Sequence, residues 1–164
     1  MESIKKKILE KYSSSVFRET LGKLPPKRFQ FGEAEIKIKP GWKCSKQRAF
    51  QLGFGERRDG LIKLIEDLEK EGKIEPGVSE WNSPAFCVPK KETGKWRLVI
   101  DYRKLNDATI TDGHPLPRID DILERQGQCK MWSVLDLKDG FHQIPIHPDS
   151  RPYTCMSTPK GTYQ

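Results

Sequence analysis

Several things this sequence lacks narrow what it can be. No apolar run approaches the ~20 residues that a membrane-spanning helix needs. The opening stretch MESIKKKILEKY carries charge but no hydrophobic segment of the secretory kind. The four cysteines, Cys44, Cys87, Cys129 and Cys155, stand far apart with no C-x-x-C pair. That spacing argues against a disulfide framework or a zinc site and sets a reducing compartment as the default. His114, His142 and His147 also lack zinc-ligand spacing, so each is read as a surface or hydrogen-bonding residue. There is no internal repeat and no low-complexity tract, which excludes solenoid architectures. A chain of 164 residues suits one compact domain or one lobe of a larger one, not a multi-domain enzyme. Charged residues make up 32% and the apolar set 35%, enough for one core and too much for wholesale disorder.

What is present begins with charge. The net charge is +7, and it is unevenly spread. Residues 1–48 hold 13 basic and 5 acidic side chains, residues 49–89 hold 5 and 8, and residues 90–164 hold 12 and 10. A basic first third suggests contact with a polyanion, because each neutralised phosphate releases counterions. A solvated basic arm would give the same pattern.

Periodicity supplies the elements. Ile4, Ile8, Leu9 and Tyr12 recur at helical spacing and predict a short amphipathic helix over 3–13. Pro25 and Pro26 end anything regular before them. Residues 34–39 alternate apolar and charged, as a half-exposed strand does, and Pro40 and Gly41 turn the chain. Leu61, Leu64, Ile65 and Leu68 fall at i, i+3, i+4 and i+7, which predicts a helix over 57–71 closed by Gly72 in a left-handed conformation. Its acidic residues are expected to face solvent. From Ala85 the period becomes two: AFCVPKK, the turn ETG and KWRLVID read as a hairpin. On its return strand Lys95, Arg97, Val99 and Asp101 share one face, and Trp96, Leu98 and Ile100 share a packing face. After a rigid HPLP connector, Ile119, Ile122 and Leu123 mark a helix ending near Gly127. MWSVLDL over 131–137 reads as a strand with Asp136 near its end, followed by a tight turn at Gly140. QIPIH and YTCMS read as two more strands joined across residues 148–152. The order is that of an α+β lobe.

A few side chains stand out chemically. Asp136 closes a run of apolar residues, where a carboxylate is costly unless paired. It either caps the following turn or offers a hard oxygen to a divalent cation such as magnesium. Lys90, Lys91, Lys95 and Arg97 lie close on one hairpin and suit a triphosphate, since a guanidinium binds phosphate oxygens bidentately. Lysines at a hairpin tip also serve plain solubility. Phe141 is either core or the wall of a sugar pocket.

Together these segments resemble a known family. SVLDLKDGFHQIPIHPDSR is similar to the first catalytic motif of the reverse transcriptases of Gypsy-like long-terminal-repeat retrotransposons. WRLVIDYRKLN and HPLPRIDDIL precede it in that family's order, and EGKIEP followed by WNSPAFCVPKKETGKWR resembles the fingers of the same enzymes. The likeness is strong over residues 60–164 and loose over 1–59. It implies a right-hand polymerase: residues 49–164 as fingers and the first part of the palm, and residues 1–48 as a basic arm between protease and polymerase regions. It implies RNA-directed DNA polymerase activity with a two-metal magnesium site, to which Asp136 contributes its carboxylate and Leu137 its backbone carbonyl. By the same likeness Asp139 and Gly140 lie against the incoming triphosphate, and Phe141 is the gate that rejects a ribose 2′-hydroxyl. Arg97, with Lys90 or Lys91, grips the triphosphate, and Val99, Asp101, Tyr102 and Arg103 lie near the templating base. The implied partners are an RNA or DNA template-primer, a dNTP and the remainder of the Pol polyprotein, with no membrane. The implied setting is the cytoplasm, including virus-like particles.

The sequence also departs from the family. Its second carboxylate pair, on a Tyr-x-Asp-Asp hairpin, does not occur before Gln164, and Asp120 and Asp121 fall in a predicted helix. The expectation is therefore a truncated polymerase without activity of its own, its palm sheet left with an open edge. A non-catalytic nucleic-acid-binding fragment, or a transposon relic, is the alternative.

Overall fold

The computed structural model describes residues 2–13, 16, 32–44, 46–50, 53–91, 94–127, 129–137 and 139–164. Pro25 and Pro26, and Glu92 and Thr93 of the expected turn, lie outside the described residues. The chain divides into two compact units, one of residues 1–19 and 111–140, the other of residues 20–110 and 141–164.

The larger unit is built on one helix and one sheet. Helix α2 (Glu56–Lys70) forms where the 3.6-residue period was read, one residue earlier at each end. Glu56 and Asp59 in its first turn complement the helix dipole. Its end is closed by Gly72 at φ 69°. There the Gly72 N–H donates to Glu69 O (2.9 Å) and the Lys73 N–H to Leu68 O (2.9 Å), which satisfies carbonyls the helix leaves open. Leu61 and Ile65 are fully buried, and burying each is worth about 1.5–3 kcal/mol.

They pack on a four-stranded sheet of order β2-β1-β3-β4, with β1 Ser83–Pro89, β2 Trp96–Ile100, β3 Met156–Thr158 and β4 Gly161–Tyr163. The β1–β2 hairpin is antiparallel, with Ala85 opposite Ile100 and Val88 opposite Arg97. β3 joins β1 in parallel, and β4 returns antiparallel to β3. The core is Leu61, Ile65, Ala85, Cys87, Met156 and Tyr163, with Trp96, Leu98 and Ile100 packed against it. Those last three are the packing face read from the alternation, and Arg97 is exposed on the other. Gly60 is required where α2 crosses β2, because a Cβ there would collide with the Trp96 indole. The acidic face of α2 is not simply solvated: Glu66 pairs with Lys160 at 3.2 Å, and Glu69 accepts from the Tyr163 hydroxyl at 3.3 Å.

Helix α3 (Arg103–Ala108) follows the hairpin and was not anticipated; at six residues its periodicity is too short to register. Residues 34–39 form no extended strand. They are fastened by two isolated bridges, Ala34 to Ile146 and Ile38 to Thr109.

The smaller unit holds helix α1 (Glu2–Tyr12) and helix α4 (Ile119–Gly127), both near the expected bounds. The strand expected over 131–137 is not formed, and its apolar side chains are exposed. A strand exists only through ladder hydrogen bonds to a neighbour, and residues 131–137 enter no ladder. The two strands expected at 143–147 and 153–157 are also corrected. Gly140–Gln143 and Pro148–Thr154 are 3₁₀ segments, and only residues from Met156 onward enter the sheet. Pro145, Pro148 and Pro152 lack the N–H a ladder needs and hold φ near the helical range. The left-handed residue near the turn at 139–140 is Asp139, at φ 48°, rather than Gly140. Aspartate is among the few side chains that tolerate that conformation. No described helix is long and apolar enough to cross a membrane.

Candidate functional site

The hairpin places three cations together. Lys90 and Lys91 follow the end of β1, and Arg97 sits in β2 opposite Val88. The Lys90 N–H donates to Lys95 O at 2.8 Å and closes the strands below the turn. Pro89, Lys90, Lys91 and Arg97 line a cavity of about 310 Å³. Among the described residues the lining holds three positive charges, a chemistry that suits an anion with several oxygens. The strand register fixes the face of the hairpin from which Arg97 projects.

Beyond β2 the chain changes character. Val99 is half-buried opposite Phe86. Asp101 accepts two bonds from the Arg103 guanidinium, at 2.9 Å and 2.8 Å. Those hydrogen bonds, with one from the Arg103 N–H, pull the Asp101 carboxyl down to about 2. The same pairing raises Arg103 above its ordinary value. The two side chains form a neutral, planar pair, although the Arg103 side chain stays 86% exposed. Tyr102 turns inward, its hydroxyl donating to Thr154 O at 2.8 Å, and burial pushes it up to about 12. Burial likewise raises the thiols of Cys87 and Cys155, which keeps them unreactive core residues.

Asp136, Leu137, Asp139 and Gly140 belong to the smaller unit, and Phe141 opens the second stretch of the larger one. Asp136 and Leu137 are exposed, at the end of the unpaired stretch 131–137. Gly140 begins the 3₁₀ turn, and a Cβ there would lie 3.5 Å from that of Leu137. Phe141 is 96% exposed, so it is not a core residue. Thus the structure brings Lys90, Lys91 and Arg97 together, and Asp101 with Arg103; it places Asp136, Leu137, Asp139 and Gly140 in a separate unit.

Among the described residues no group of three His, Cys, Asp or Glu side chains can hold a metal ion. Magnesium prefers six oxygens in near-octahedral array. A single carboxylate such as Asp136 falls well short of such a shell, so the described residues do not by themselves amount to a metal site.

Sequence reasoning missed the side chains that hold these segments in place. The Asn82 side-chain amide donates to Gln47 O at 3.0 Å and the Gln47 side-chain amide to Asp101 O at 3.3 Å, Ser150 accepts from the Ile36 N–H at 3.0 Å, and Ser157 donates to the Asn82 side chain at 2.7 Å. Each pair is far apart in sequence, and no local pattern marks it.

Residues 88–164 match the family described as "Reverse transcriptase (RNA-dependent DNA polymerase)". More narrowly, the chain is similar to retrovirus-related Pol polyproteins of transposons. It is 49% identical over 105 residues to the "Retrovirus-related Pol polyprotein from transposon 412" of Drosophila melanogaster, covering 61% of this chain and 8% of the relative. It is 43% identical over 105 residues to the corresponding polyprotein from transposon gypsy of the same fly, covering 61% of this chain and 10% of the relative. A "Pol polyprotein" of Ovine maedi visna related virus (strain South Africa) is 34% identical over 134 residues, covering 75% of this chain and 11% of the relative. The chain therefore spans about a tenth of the length of these relatives.

Proposed function

We propose that this chain supplies the fingers and the first part of the palm of an RNA-directed DNA polymerase encoded by a retrotransposon. The observation that carries the reading is the hairpin cavity lined by Lys90, Lys91 and Arg97, which lies within the matched stretch. In this reading the three cations hold the triphosphate of an incoming dNTP. The backbone of Asp139 and Gly140 is assigned to the same triphosphate by the family resemblance, and Phe141 to exclusion of a ribose 2′-hydroxyl. Val99, Asp101 and Arg103 border the templating base, and the Asp101–Arg103 pair keeps Arg103 from gripping phosphate indiscriminately. Asp136, with the Leu137 carbonyl, provides the first ligands for magnesium. The carboxylates that complete that site come from the rest of the Pol polyprotein, which also provides strands to pair with residues 131–137. The basic residues of 1–48 favour a nucleic-acid template-primer as partner, and the setting is the cytoplasm or a virus-like particle.

Primer extension tests this. The purified chain with magnesium, dNTPs and a primed RNA template gives no extension, and the complete polymerase containing the same residues extends it. Robust incorporation by the chain alone overturns the incomplete-site reading. The net charge of +7 supports a second reading, a binding fragment without catalysis. That reading is favoured if gel shifts weaken steeply with salt while the complete polymerase is inert.

A further inference from the structure

We propose that residues 34–44, 46 and 47 are an integral clamp of the polymerase unit, so that the cut releasing this unit from its polyprotein falls upstream of Ala34. The processing half rests on the reading above; the clamp rests on geometry within one compact unit. The segment is bonded along both edges. On one edge the Ala34 N–H donates to Pro145 O (2.9 Å), the His147 N–H donates to Ala34 O (3.0 Å), and the Ile36 N–H donates to the buried Ser150 hydroxyl (3.0 Å). On the other, the Ile110 N–H donates to Lys37 O (2.8 Å) and the Lys39 N–H to Ala108 O (2.9 Å). Lys39 Nζ adds a bond to Asp107 O at 2.7 Å. After the turn at Gly41, the Gln47 N–H donates to Asn82 O (3.1 Å), and Gln47 Nε2 donates to Asp101 O (3.3 Å).

The clamp thus ties three stretches that are distant in sequence: the residues just after Phe141, the end of α3 with Thr109 and Ile110, and the start of β1 with Asp101. Ile36 and Ile38 turn inward, and Glu35, Lys37 and Lys39 face out, as the alternation requires. A protease must hold its substrate as free extended backbone, and truncation is tolerated only where backbone groups are unbonded. Cutting between residues 34 and 47 would forfeit bonds on both edges. This segment lies outside residues 88–164, where the family match falls.

Amide hydrogen exchange on the intact chain tests the clamp without any activity readout. The amides of Ala34, Ile36, Lys39 and Gln47 exchange at least about 100-fold more slowly than in an unstructured peptide. Ser150→Ala speeds exchange at Ile36 about ten-fold and leaves Gln47 unchanged. Unprotected amides at these four positions overturn the clamp. Mass spectrometry of the processed polyprotein reads the second half: a mature N-terminus at or before Ala34 supports it, and one between Glu35 and Arg48 overturns it. Absence of primer extension by the complete polymerase would count against the functional reading and leave the exchange pattern untouched.

Discussion

Gly60→Ala is a substitution whose sign the structure reverses. Gly60 lies inside α2, where replacing glycine with alanine ordinarily stabilises by about 0.5–1 kcal/mol. Here the new Cβ would fall on Cδ1, Nε1 and Cγ of the Trp96 indole. These atoms include the base of the ring, so the ring cannot swing clear without leaving its place against Leu61, Ile65 and their neighbours. Overpacking of this kind costs about 1–3 kcal/mol. The net is a loss of about 1 kcal/mol, which lowers the unfolding midpoint of a chain this size by about 2–4 °C. In a Trp96→Ala background the obstacle is gone, and the same substitution raises the midpoint by a similar amount. Urea and thermal denaturation followed by circular dichroism on the four chains measure the coupling. An equal gain from Gly60→Ala in both backgrounds would refute the close approach of α2 to β2.

The titratable groups near the hairpin give two pH expectations. Asp101 is depressed by Arg103, so its stabilising contribution is present above the ordinary carboxylate value near 3.9 and is lost as pH falls toward about 2. Arg103→Ala returns the Asp101 midpoint to the ordinary range in an NMR titration, and an unmoved midpoint would sink the pairing. Tyr102 is raised by burial, so its contribution is present below about pH 10 and is lost as pH rises through about 12. Tyr102→Phe removes that alkaline component and costs about 1 kcal/mol for the lost hydrogen bond to Thr154, as read from urea midpoints. In the complete polymerase, Arg97→Ala raises the KM for dNTP about 10- to 100-fold, the worth of a charge-assisted phosphate contact. An unchanged KM removes Arg97 from the triphosphate. Phe141→Val in the same enzyme admits ribonucleotides; discrimination that stays intact in single-nucleotide incorporation assays discounts Phe141 as the gate.

What could be read from the sequence was what local chemistry decides. The spacing of Leu61, Leu64, Ile65 and Leu68 marked α2, and Gly72 marked its end, because both signals lie within one helix. The alternation through Trp96, Arg97 and Leu98 gave the hairpin's two faces, and with them the clustering of Arg97 with Lys90 and Lys91. The stretch 131–137 misled for the converse reason. Its apolar residues fit a buried strand, but pairing depends on a neighbour that no residue of the stretch encodes. Pro148 and Pro152 were visible, yet their effect on residues 148–154 was underestimated, and a 3₁₀ segment took the place of strand. The Asp101–Arg103 pair was also in plain sight at i and i+2, and only the coordinates show that the two side chains meet. The contacts of Gln47 and Ser150 join residues 35 to 114 positions apart and leave no local trace.

The β1–β2 register has an evolutionary corollary. Neighbouring strand residues point to opposite faces, so adding or removing one residue within Trp96–Ile100 would exchange the cationic and packing faces. Length change in this hairpin is therefore subject to parity: pairs of residues are tolerated inside a strand, and an odd residue must be taken up by the turn after Lys91. In an alignment of related chains, odd-length gaps should collect between Lys91 and Lys95, and the interval from Arg97 to Asp101 should change only by even numbers of residues.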